Sequence, residues 1–195
     1  TVEKGRRFAT KIFSQWQEIV DDCEFFYCDG CSDGGIDISY QKSDYDEDGE
    51  LRKKIWYIVQ SKYGSSYQGP DTLVVEAVKI FHTLNGINEH LSEQVKNIVE
   101  AFNVFKQTLG EEDKIVLVFA TVDSLSGIEL ESLANIKTIG QGYFGNNFDV
   151  ETISLQTIYN RIQDDIQSSH NIVPINANLV PSGENLLVGS IFFAN

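Results

Sequence analysis

Apolar residues recur along this chain with two periods, and the changes between them mark its elements. Over residues 5–22, Phe8, Ile12, Trp16, Ile19 and Val20 fall at helical spacing with charges opposite, which predicts an amphipathic first helix. EFFYC (24–28) and GIDISY (35–40) then read as strands joined by an Asp- and Gly-rich turn around residues 29–35. The acidic loop SDYDEDGE precedes a third strand, IWYIVQSKY. Gly69-Pro70-Asp71 breaks the chain and offers an N-cap. Leu73, Val74, Ala77, Val78, Phe81 and Leu84 then follow a helical stripe. A break at Asn85-Gly86 separates it from a second helix through Leu91, Val95, Ile98, Phe102 and Phe105.

KIVLVFATVD (114–123) is apolar without alternation, the pattern of a central strand covered on both faces. Beyond it the sequence predicts a short helix near Ile128–Leu133, a flexible glycine-rich turn in IGQGYFGNN, and an amphipathic helix within Val150–Ile166. NIVPINANLV and LLVGSIFFAN read as a terminal strand pair around Pro-Ser-Gly-Glu-Asn. The class is α/β, and three consecutive strands argue against a simple doubly wound sheet. The expected organisation is one α/β domain over 1–166, followed by the start of a β-containing region over 167–195. A chain that begins with Thr, contains no Met and ends inside a strand pattern reads as a fragment.

Composition narrows the function. A 195-residue chain with 42% hydrophobic and 11% aromatic residues can bury one substantial core. The absence of a long apolar run or a leader-like N-terminus predicts a protein with no membrane partner. A net charge of −14 argues against a simple nucleic-acid coat but is compatible with an enzyme that reaches phosphates through a divalent metal. The odd number of cysteines, Cys23, Cys28 and Cys31, predicts reduced thiols in a cytoplasmic setting. Cys28-Asp-Gly-Cys31 has the spacing of half a zinc site, but no fourth ligand lies nearby in sequence, so strand and turn cysteines are the preferred reading.

The candidate chemistry lies at the end of the third strand. Side chains alternate there, so Gln60 and Lys62 share a face with Ile58. A lysine at such a position requires an anionic neighbour or a route to solvent. With GIDISY as the neighbouring strand, Asp37 lies beside both. An Asp carboxylate and a Gln carbonyl oxygen are hard ligands suited to Mg²⁺ or Mn²⁺, and a lysine there can stabilise charge developing on a phosphate. Asp33 in the turn is a further metal-ligand candidate, although a turn aspartate also bonds its own backbone.

DGGID, an apolar strand ending in Gln60-Ser61-Lys62, and the later VLVFATVDS together resemble the PD-(D/E)XK nuclease superfamily in its Q-x-K variant. Mrr-like restriction endonucleases share that variant, and the N-terminal region of abortive-infection phage-resistance (AIPR) proteins is the more similar. The resemblance implies a restriction-endonuclease-like core of helix, three strands, helices and strand, covering residues 5–123. It implies a metal-dependent endonuclease, with Asp37 and Gln60 as metal ligands and Lys62 as catalytic lysine. It also implies nucleic acid as substrate, DNA ahead of RNA, with a homodimer as a candidate assembly. Many relatives carry an acid on the first helix, whereas here Glu18 falls on the outward face. The competing reading is therefore the same fold without activity, acting as a binding or assembly module. A third arises from Asp44, Asp46, Asp48 and Gly49, which match the opening of a calcium loop. Its twelfth position is Ile55 and its flanks read as strands, so an acidic hairpin turn is preferred.

Overall fold

The computed structural model describes residues 25–28, 32–62, 70–123, 125, 127–160, 163, 174–181 and 187–193. The expected first helix, Glu18, Cys23, Cys31 and the 166/167 boundary lie outside the described residues. By its internal contacts the chain divides into two compact units, 1–158 and 159–195.

In the first unit a five-stranded sheet has the order β1-β2-β3-β4-β5. These strands are β1 (Phe25–Tyr27), β2 (Ile38–Tyr45), β3 (Leu51–Lys62), β4 (Lys114–Thr121) and β5 (Phe148–Ser154). The first three form an antiparallel meander, with Tyr40 opposite Tyr57 and Ile38 opposite Val59. The acidic loop is the tight turn between β2 and β3. Asp46 Oδ1 accepts from the amides of Asp48 and Glu50 at 3.0 and 2.9 Å, and Gly49 adopts φ 79°. Asp44 is paired with Lys53 across the hairpin at 3.5 Å.

On its other side β3 runs parallel to β4, with Gln60 opposite Phe119 and Lys62 opposite Thr121. Parallel neighbours need a long crossover, supplied here by α1 (Pro70–Leu84) and α2 (Glu93–Gln107). Gly86 at φ 70° makes the break between them, and Ser92 caps α2 by accepting from the Val95 amide. A third helix, α3 (Gly127–Phe144), carries the chain from β4 to β5, also parallel.

The inward stripes of these helices meet one face of the sheet. Leu73, Ala77, Ile80, Phe81 and Leu84 of α1 and Val95, Ile98, Phe102 and Phe105 of α2 pack with Trp56, Ile58, Ile115, Leu117 and Phe119. Ile38, Tyr40, Val59, Val116 and Val118 on the opposite face are buried as well. Burial on both faces accounts for the unbroken apolar pattern of β4.

Two sequence expectations are corrected. IGQGYFGNN is not a flexible turn: α3 runs through it to Phe144, and Gly145–Asn147 form a 3₁₀ turn. Within this helix Gly140 is required by close packing, since a Cβ there would lie 2.6 Å from Phe148 Cζ. The expected helix within Val150–Ile166 begins instead as strand β5, with helix following over 155–160. Pairing with β4 decides that segment, because so short an apolar run is ambiguous between the two periods.

The second unit contains an antiparallel pair, β6 (Pro174–Pro181) and β7 (Leu187–Phe193), where the sequence predicts a terminal strand pair. Among the described residues no helix is long and apolar enough to cross a membrane.

Candidate functional site

Even-numbered residues of β3 face the helices, so Gln60 and Lys62 continue the line of Trp56 and Ile58 toward α1. Gln60 is 3% exposed. A buried amide needs a partner, and Gln60 Nε2 donates to Glu76 Oε2 of α1 at 2.8 Å. Lys62 Nζ donates to the other oxygen of the same carboxylate, Oε1, at 3.3 Å. Lys62 is therefore accommodated by an acid from the following helix, with part of its side chain still in solvent.

Asp37 stands where the β2–β3 ladder ends. Its amide donates to the Val59 carbonyl at 3.0 Å, and its own carbonyl accepts from the Cys28 amide at 2.9 Å. Its carboxylate then takes over from the backbone: Oδ2 accepts the Ser61 amide at 2.6 Å and the Ser61 hydroxyl at 3.1 Å. Both bonds fall on Oδ2, so Oδ1 has no partner among the described residues. Burial pushes the Asp37 carboxyl above its usual range. The Ser61 hydrogen bonds oppose that shift, the Asp33 charge adds to it, and the Lys62 charge lowers it.

Asp33 has a structural occupation. Its Oδ1 accepts the Gly35 amide at 2.7 Å, closing the turn, and also meets Lys79 Nζ at 3.3 Å. Gly34 and Gly35 adopt φ 64° and 86°, a region side chains disfavour. A Cβ on Gly34 would also lie 2.6 Å from the Thr83 side chain. Thr83, fully buried, donates to the Gly34 carbonyl at 2.9 Å and accepts from Asn88 Nδ2 at 2.7 Å. The DGGID turn is thus seated on α1, the same helix that presents Glu76.

The structure places Asp37, Gln60 and Lys62 at the same end of the β2–β3 pair, the Asp37 carboxylate on Ser61 and the Gln60 and Lys62 side chains on Glu76, and leaves Asp33 as a turn-closing group. Sequence reasoning missed Glu76, Ser61 and the Thr83–Asn88 buttress. Glu76 had a signal: it lies three residues after Leu73 and four before Ile80, inside the apolar stripe of α1. An acid within such a stripe requires a buried partner.

Cys28 is buried beside this turn, and its thiol is pushed up to about 12 by burial and by the charges of Asp33 and Asp37. It packs in the core, in keeping with a strand-end cysteine. Among the described residues no group of three His, Cys, Asp or Glu side chains stands close enough to hold a metal ion. The donors at the β2–β3 end are the Asp37 and Glu76 carboxylates and the Gln60 amide. A hard divalent cation such as Mg²⁺ binds through one or two carboxylates and keeps several waters. An open oxygen on a desolvated carboxylate therefore fits such a cation in donor chemistry.

Comparison with family models, with curated proteins and with solved structures yields no match to this chain.

Proposed function

We propose that residues 1–166 form a metal-dependent endonuclease domain that hydrolyses phosphodiester bonds, with a restriction-endonuclease-like core of the AIPR phage-defence kind. The observation that carries this reading is the placement of Asp37, Gln60 and Lys62 at one end of the β2–β3 pair, with the Lys62 charge acting on the Asp37 carboxylate. The strand arrangement supports it too: an antiparallel meander whose third strand gains a parallel neighbour after a helical crossover.

Asp37 and the Gln60 carbonyl oxygen would hold Mg²⁺ or Mn²⁺. Such a cation supplies Lewis-acid polarisation of a phosphoryl oxygen and lowers the pKa of bound water. The residues do the rest. Ser61 fixes the Asp37 carboxylate through Oδ2 and leaves Oδ1 directed elsewhere. The bond from Gln60 Nε2 to Glu76 sets the orientation of the amide. Lys62 brings a positive charge to balance the charge that grows on the phosphate as water attacks. The domain would act in the cytoplasm on nucleic acid, DNA ahead of RNA, with pairing of two copies as the route to cutting both strands.

The test is incubation with supercoiled plasmid and with single-stranded RNA in Mg²⁺ and then Mn²⁺, beside Lys62→Ala. Cleavage by the parent, lost in a variant that melts as the parent does, is the expected result. Equal cleavage by both would refute the assignment of Lys62. A second reading, an inactive module with the same fold, draws on one observation: Glu76 already engages both Gln60 and Lys62, as a purely structural ion pair would.

A further inference from the structure

The site as read above has one assigned carboxylate, Asp37, and a neutral Gln60. A single carboxylate and an amide form a weak magnet for a divalent cation, since affinity for such ions rises with ligand charge. The fold supplies a second carboxylate from an element outside the strand motif. Glu76 reaches over the end of β3 from α1, and each of its oxygens faces a site residue: Oε2 faces Gln60 and Oε1 faces Lys62. Its side chain keeps 21% exposure, and that of Lys62 34%, so water and ions reach the pair.

We propose that Glu76 is the second carboxylate of the divalent-cation site and that the Lys62 ammonium competes with the cation for it. The inference rests on the reading of the β2–β3 end as a metal-assisted nuclease site. Glu76 thus adds to Asp37 a carboxylate carried by a helix and not by the strand motif. The Lys62–Glu76 pair is then the resting arrangement. Cation binding weakens the hold of Glu76 on Lys62 and turns the ammonium toward the phosphate. Removing either cation strengthens the binding of the other, because coupling between two ligands of one group is reciprocal. A purely structural ion pair makes a different prediction. There, neutralising Glu76 leaves metal affinity set by Asp37, and the gain from truncating Lys62, whose charge also acts on Asp37, is the same in the Glu76→Gln background as in the parent.

The experiment is Mn²⁺ binding to the 195-residue chain, followed by calorimetry and by the loss of the free-ion paramagnetic resonance signal. The variants are Glu76→Gln, Asp37→Asn and Lys62→Ala, with thermal melts as fold controls. The isosteric Gln keeps one acceptor oxygen, for Gln60, and puts an amide nitrogen where the other oxygen meets Lys62, so that it removes the charge and the Lys62 bond together. The expected result is one Mn²⁺ per chain, weakened at least about tenfold in Glu76→Gln, the scale reached even by loss of an outer-sphere partner. Lys62→Ala should bind about two- to fivefold more tightly, the size of a surface charge pair. Asp37→Asn weakened with Glu76→Gln unchanged would overturn the role of Glu76 and leave the metal site standing. Weaker binding by Lys62→Ala would overturn the competition. No binding by the parent would overturn this inference together with the metal-site reading beneath it.

Discussion

Two glycines of α3 carry opposite predictions although only Gln141 separates them. Gly140 is buried against Phe148, and a Cβ built on it would overlap Cε1, Cδ1 and Cζ of that ring, the last at 2.6 Å. The ring cannot swing away. Phe148 is 1% exposed and is held by Phe81 at 5.3 Å and by Phe144 at 5.7 Å between ring centroids. Gly140→Ala gains about 1 kcal/mol in helix propensity. It loses the cost of overpacking a filled core, about 1–3 kcal/mol, toward the upper end with three ring atoms in conflict. The net is a loss of about 1–2 kcal/mol. Gly142 has nothing within 4 Å of the corresponding position. Gly142→Ala therefore keeps the propensity gain alone, about 0.5–1 kcal/mol. For a chain of this size a kilocalorie moves Tm by about 2–4 °C. Thermal and urea unfolding of the two variants should thus bracket the parent, Gly140→Ala below and Gly142→Ala above. A Gly140→Ala protein as stable as the parent would refute the close approach of α3 to Phe148.

Three more outcomes follow from the site and its supports. Asp37→Asn should raise stability at neutral pH in the presence of a chelator, because the folded state disfavours the charged carboxyl. With the folded pKa above the usual 3.8, that penalty is full above the folded value and vanishes as pH falls below 3.8. The advantage of the variant in melting experiments should shrink accordingly on acidification, and an advantage that grows instead would contradict the assigned shift. Thr83→Val keeps the shape but strands the Gly34 carbonyl and weakens the anchorage of Asn88. Urea titration should register a loss of about 1–3 kcal/mol. The Cys28 thiol, pushed up to about 12, should react with a disulfide reagent at pH 8 only as fast as the protein opens. Full modification of that thiol within seconds under native conditions would place it at the surface.

Much of the architecture was legible in the residues. The period of α1 and α2, the Asn85-Gly86 break, the acidic hairpin turn and the uniformly apolar β4 are local properties, written in spacing and in turn chemistry. The shared face of Gln60 and Lys62 was legible for the same reason, since a period of two fixes which residues lie together, whereas the bonds from Ser61 to Asp37 were not. What failed was decided by contacts distant in sequence. The segment 139–144 holds two glycines and reads as a turn. It is helix, and its Gly140 marks a close approach and not a turn, because Phe148, folded back on α3, fills the space that the glycine leaves. Val150–Ser154 falls within a segment expected to be helix, but β4 offers it a ladder of unpaired backbone groups, and pairing outweighs a weak local preference. The partner of Lys62 was hidden in the same way. The sequence demands an anion near that lysine without saying which. Only the return of the crossover helix over the end of β3 brings Glu76, fourteen positions away, to within 3.3 Å of the ammonium.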